Sequence, residues 1–136
     1  NNKERLISLY KFYKLDKEDV FTLKFGASKV PIITRTGIDK IQATENIKIK
    51  FKEIEYTPGI SAAIKAKAKW NDRSIETYGE ANKDNNKMNY PLAMAEKRAM
   101  SRAILKLTGF YELGVFGEDE SDGFKKNENQ INQINN

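Results

Sequence analysis

The 136-residue chain contains no cysteine and no histidine. Without cysteine there is no disulfide framework and no thiol nucleophile. The further lack of histidine excludes Ser-His-Asp and Cys-His catalysis together with the usual zinc sites. No stretch approaches the roughly 20 apolar residues that cross a bilayer. The opening residues Asn1-Asn2-Lys3-Glu4-Arg5 lead into an amphipathic pattern instead of the apolar core of a signal peptide. A phosphate-binding loop is missing too, because Phe25-Gly26-Ala27-Ser28-Lys29 has neither its spacing nor its Lys-Ser/Thr ending. The expectation is a soluble, cytoplasmic, non-enzymatic protein with no cofactor, no metal and no membrane partner.

What is present is charge. The chain carries a net +5 with a pI near 9.3, which points toward a polyanionic partner. The charge is uneven: residues 48–69 and 97–106 are basic, and residues 112–122 are acidic. With 39% hydrophobic residues the chain can bury one modest core.

Leu6, Leu9, Tyr10 and Tyr13 recur at helical spacing and predict an amphipathic helix over residues 3–14. Two short strands, 20–25 and 30–34, flank a turn at Gly26-Ala27-Ser28. A helix over 38–43 follows Thr36-Gly37. Next comes a three-stranded meander over 47–56, 60–70 and 73–81, with turns at Thr57-Pro58-Gly59 and Asn71-Asp72. Hydrophobic phase changes after Lys52, which predicts a bulge near Lys52-Glu53. Residues 82–89 read as a polar loop. Pro91 opens the strongest helix, which runs to Leu107 before Gly109. On it Ala93, Met100, Ala103, Ile104 and Leu107 form a packing stripe, and Arg98, Arg102 and Lys106 form a basic stripe on roughly the opposite side. Residues 110–116 read as an irregular packed segment. One domain over 1–124 with a flexible polar tail over 125–136 completes the organisation.

Lys48, Lys50 and Lys52 alternate with apolar residues on the first meander strand, and Lys65, Lys67 and Lys69 do so on the second. Same-face residues in a strand lie about 6–7 Å apart, close to phosphate spacing. One lysine row describes a solvated face that resists edge-to-edge aggregation equally well. Two neighbouring rows facing the same way favour an anion-binding surface, since unlike charges are otherwise expected opposite a row of lysines.

Tyr56, Trp70, Tyr78, Tyr90 and Phe110 are able to stack bases, although core packing is the stronger expectation for most, Trp70 above all. Glu118-Asp119-Glu120-Ser121-Asp122-Gly123 superficially resembles a calcium loop. Counted from Asp119, the closing position falls on Gln130, so the expectation is a solvated acidic turn, with masking of a DNA site as a weaker reading. Glu53, Glu55, Glu76 and Glu80 could serve a metal-dependent nuclease, but no Asp…Glu-x-Lys arrangement sits on consecutive strands.

The order helix, β-meander, polar loop, long basic helix resembles the Rad-fifty-two-type single-strand annealing superfamily, which includes phage, mobile-element and mitochondrial annealing proteins. The resemblance rests on residues 36–46, on the meander 47–81 ending in Glu76-Thr77-Tyr78-Gly79-Glu80-Ala81, and on Ala95-Glu96-Lys97-Arg98-Ala99-Met100-Ser101-Arg102-Ala103-Ile104-Leu105-Lys106-Leu107-Thr108-Gly109. The hairpin over 21–34 adds to it, so that it covers roughly residues 20–116. It implies an α+β fold: an antiparallel meander with a preceding hairpin and a long C-terminal helix packed on the sheet. It further implies a ring or helical homo-oligomer that binds single-stranded DNA in a basic groove and anneals complementary strands without ATP. The implied setting is recombination or repair in a bacterial or phage-infected cell, alongside host or phage recombination proteins. Arg102 and Lys106 match the groove-lining positions, with Lys97 and Arg98 supporting. A plain single-strand-binding protein and a metal-dependent nuclease are the alternatives.

Overall fold

A computed structural model describes residues 1–85 and 90–121. Helix α1 (Asn2–Phe12) is started by Asn1, whose side chain accepts the Glu4 N–H at 2.9 Å while Glu4 reaches back in a capping box. None of its residues is fully buried; Leu6, Leu9 and Tyr10 lean on the core. Strands β1 (Val20–Phe25) and β2 (Ser28–Ile33) pair antiparallel across a two-residue turn with Gly26 at φ +60°.

Helix α2 (Arg35–Glu45) begins one turn earlier than the sequence suggests. Thr34 is its cap, accepting the Gly37 N–H, so Thr36 and Gly37 lie inside the helix. Gly37 is admitted because a Cβ there would sit 2.5 Å from Ile33 Cγ2 and 3.0 Å from the Asp19 carbonyl. The preference for an interior without glycine yields to close packing of α2 against both ends of the hairpin, Ile33 closing β2 and Asp19 preceding β1.

The meander is as expected: β3 (Lys48–Thr57), β4 (Ser61–Trp70) and β5 (Arg73–Ala81) form one antiparallel sheet in that order. The bulge falls between Glu53 and Glu55, one to two residues beyond its predicted place. Helix α3 (Pro91–Leu107) lies across β4 and β5. After a 3-10 turn (Tyr111–Leu113), β6 (Phe116–Gly117) adds a short parallel edge to β2, and a second 3-10 turn (Glu118–Glu120) follows. Two residues carry no periodicity, so β6 has no signature in the sequence.

The result is the α+β arrangement of meander, preceding hairpin and packed C-terminal helix. Ile33, Ile38, Ile41, Ile104, Leu107, Phe110 and Val115 form the main core where the two sheets and α3 converge. A second cluster is almost wholly alanine: Ala62, Ala66 and Ala81 of the sheet against Ala95 and Ala99 of α3, with Ile64. Small residues on both sides bring the helix backbone onto the sheet. At Gly79 even a methyl group is too much, because its Cβ would stand 2.1 Å from the Ala95 carbonyl oxygen.

The predicted loop over 82–89 is a turn as far as Asn85; residues 86–89 lie outside the described residues, as does the predicted tail over 125–136. Among the described residues, no helix is long and apolar enough to cross a membrane.

Candidate nucleic-acid interface

The meander register brings the two lysine rows together. Across β3 and β4, Lys48 stands opposite Lys69, Lys50 opposite Lys67, and Lys52 opposite Lys65. Because side chains alternate along each strand, all six project from the face opposite the alanine cluster and α3. The rows continue onto β5, where Lys69, Lys67 and Lys65 face Ser74, Glu76 and Tyr78. The next row, Glu55–Ala63–Glu80, closes the basic area with carboxylates at both edges.

Cross-strand neighbours are about 5 Å apart at Cβ, and like charges there repel. Three such pairs in succession raise the local positive potential. Within the described residues, only Lys65 has a carboxylate partner, Glu76 at 3.6 Å; the other five lysines have none within 4.0 Å. All of those five are exposed.

The four α3 candidates occupy different environments. Arg98 is a correction to the basic stripe: it is buried, with 5% of its surface exposed. Its Nε donates to the Asp119 carbonyl at 3.0 Å, Nη1 to the Glu80 carbonyl at 2.7 Å and Asn85 Oδ1 at 2.9 Å, and Nη2 to the Asn85 carbonyl at 2.6 Å. Arg98 thus ties the end of β5, the 82–85 turn and the final 3-10 turn together. Its partners, three backbone carbonyls and the Asn85 side-chain oxygen, lie outside the helix, where no helical wheel reveals them. Ala93, assigned to the packing stripe, is exposed instead.

Arg102 is about one-third exposed and is also engaged. Its Nε and Nη2 each lie 2.6 Å from Glu120 Oε1, and Nη1 donates to the Tyr78 carbonyl at 2.6 Å. Lys97 and Lys106 are exposed, with the Lys106 ammonium 5.1 Å from the centre of the Tyr111 ring. Lys106 also lines a cleft of about 430 Å³ with Arg5, Trp70, Arg73 and Tyr111. Arg5 and Arg73 are not singled out by the sequence, where each directly follows an acidic residue, Glu4 and Asp72. The sheet separates the α3 candidates from the six lysines, so a single protomer does not merge the two sets into one groove.

Acidic residues 118–120 are docked rather than solvated, and Asp122 and Gly123 of the predicted acidic turn lie outside the described residues. Glu118 Oε1 accepts the Arg35 N–H at 2.6 Å, Asp119 Oδ2 accepts from Ser101 Oγ at 3.2 Å, and Glu120 holds Arg102. Burial pushes the Asp119 carboxyl above its ordinary pKa against the opposing pull of Arg35 and the Ser101 hydroxyl. No group of three or more acidic side chains among the described residues is placed to hold a metal ion.

The aromatics divide as well. Phe110 is fully buried and Trp70 is half-buried against the core, with the Arg73 guanidinium 5.6 Å from its ring. Tyr56, Tyr78 and Tyr90 are exposed, contrary to the core expectation, and of these Tyr78 stands on the lysine face.

Compared with family models, with characterised proteins and with solved structures, the chain finds no match.

Proposed function

We propose that this chain binds single-stranded DNA on the outer face of β3–β4–β5 and, as a homo-oligomer, anneals complementary strands without ATP. The observation that carries the binding is the block of three directly opposed Lys–Lys pairs, five of whose six lysines lack a carboxylate partner among the described residues. Such a block is electrostatically unfavourable alone and becomes favourable when a phosphate chain lies along it and its counterions are released. Annealing then requires only that charge be neutralised and strands be held extended; base pairing supplies the rest.

Self-association is supported by strand β3. It is an edge strand, and α3 leaves much of its inner face uncovered, so that Phe51 and Tyr56 are each 39% exposed. An edge of this kind is suited to pairing with another chain.

The test is a Lys50→Gln/Lys67→Gln variant, which neutralises the middle pair. Affinity for single-stranded DNA should fall, and the slope of log K against log salt should shrink by about 1.4, two charges at roughly 0.7 each. The rate of annealing of complementary oligonucleotides should fall in parallel. An unchanged affinity and slope would remove the lysine block from the interface.

A further inference from the structure

The outer face is not uniformly basic across its width. The β3 and β4 columns each carry three lysines, whereas the β5 column carries Ser74, Glu76, Tyr78 and Glu80. Phosphate is attracted to the first two columns and repelled by the two carboxylates of the third. Tyr78 interrupts those carboxylates. It is 54% exposed, stands directly opposite Lys65, and makes no aromatic or cation–π contact with the described residues. A half-exposed ring at the rim of a cationic track is an arrangement that single-strand-binding surfaces use to stack bases.

We infer that Tyr78 is a base-stacking platform, and that a single strand lies with its phosphates over the β3–β4 lysines and its bases turned toward β5. The inference rests on the proposed binding face and adds direction to it. Adjacent strands are about 4.8 Å apart, so the middle of the lysine columns lies roughly 7 Å from the β5 column. That offset suits a base reaching sideways from its phosphate. Glu76 and Glu80, on either side of Tyr78, can accept hydrogen bonds from the exocyclic amino groups of neighbouring bases. A duplex has its bases already stacked inside and offers Tyr78 nothing, so the platform selects single strands over a polyanion in general.

The experiment separates phosphate from base. Fluorescence anisotropy compares a labelled oligothymidylate with an abasic deoxyribose-phosphate chain of the same length, which keeps the charge and lacks the bases. The wild-type protein should bind the oligothymidylate roughly tenfold more tightly. Tyr78→Leu should abolish most of that preference while leaving abasic affinity unchanged; Tyr78→Phe and Tyr78→Trp, which keep a ring, should retain it. The exposed position predicts that unfolding midpoints stay near wild type. A preference that survives in Tyr78→Leu, or a loss that is equal on both chains, overturns the stacking role. Abasic binding that is indifferent to Lys50→Gln/Lys67→Gln marks failure of the binding face itself, and the stacking role fails with it.

Discussion

Arg98 shows how far one side chain's role can depart from its place on a helical wheel. Its guanidinium spends its donors on the carbonyls of Glu80, Asn85 and Asp119 and on the Asn85 amide oxygen. A lysine offers a single point of donors in place of a planar fork and cannot reach this set. Arg98→Lys should therefore cost about 3 kcal/mol of stability. Urea unfolding would show this as a lower midpoint, and DNA affinity measured well below that midpoint should be preserved. Loss of affinity at unchanged stability would return Arg98 to the interface and discard its role as a clamp.

Among elements, α3 lies backbone-close to the sheet where Ala95 and Ala99 face β5. Gly79 permits this approach, and Thr77 reinforces it by donating its hydroxyl to the Ala99 carbonyl at 2.6 Å. Gly79→Ala should force the helix outward at a cost of about 3 kcal/mol or more, read as a fall of roughly 10 °C in thermal midpoint. Normal stability in this variant would mean that the helix yields more easily than close-packed backbones allow.

The elements also divide by how legible they were. Lys48 to Lys52 and Lys65 to Lys69 announce their strands because alternation is a local property, and the short turn between them keeps the register within reach. The termini of α3 follow from Pro91 and Gly109 in the same way. What the sequence could not convey depends on distant chain. The start of α2 is set by what packs on Gly37, and β6 exists only because β2 offers it an edge. The acidic residues 118–120 read as solvated because their partners, Arg35 and Arg102, are far off in sequence. The burial of Arg98 has the same origin. Tyr78 was visible as an aromatic, but its exposure follows from the parity of β5 relative to α3.

Over the whole molecule, two aspartates couple stability to pH in opposite senses. Asp19 precedes β1 with 3% of its side chain exposed, and it receives the Lys40 ammonium of α2 at 2.5 Å. Burial opposes its charge, but hydrogen bonds from Lys40 and the Asp16 N–H outweigh this and hold its carboxyl below the ordinary value. Its contribution is therefore present above the unfolded pKa and is lost as pH falls through the lower folded pKa. Asp119 is raised, so its ionised form weakens the fold at neutral pH, and that cost is relieved as pH falls through the raised value. Urea midpoints between about pH 7 and about pH 3 should show Asp19→Asn less stable at neutral pH with a flatter acid limb. Asp119→Asn should be more stable at neutral pH, with the gain vanishing on acidification. Parallel curves for wild type and both variants would contradict these assignments.

The alanine layer beneath the lysines has one more consequence. With α3 pressed against it, the sheet is a stiff backing, and only the long lysine stems are free to adjust. Ammonium groups on flexible stems follow a phosphate chain of any composition but present no fixed pattern of donors and acceptors to base edges. On the proposed reading, these lysines would grip a strand by its phosphates alone, and the choice of complement would fall to the strand's own bases.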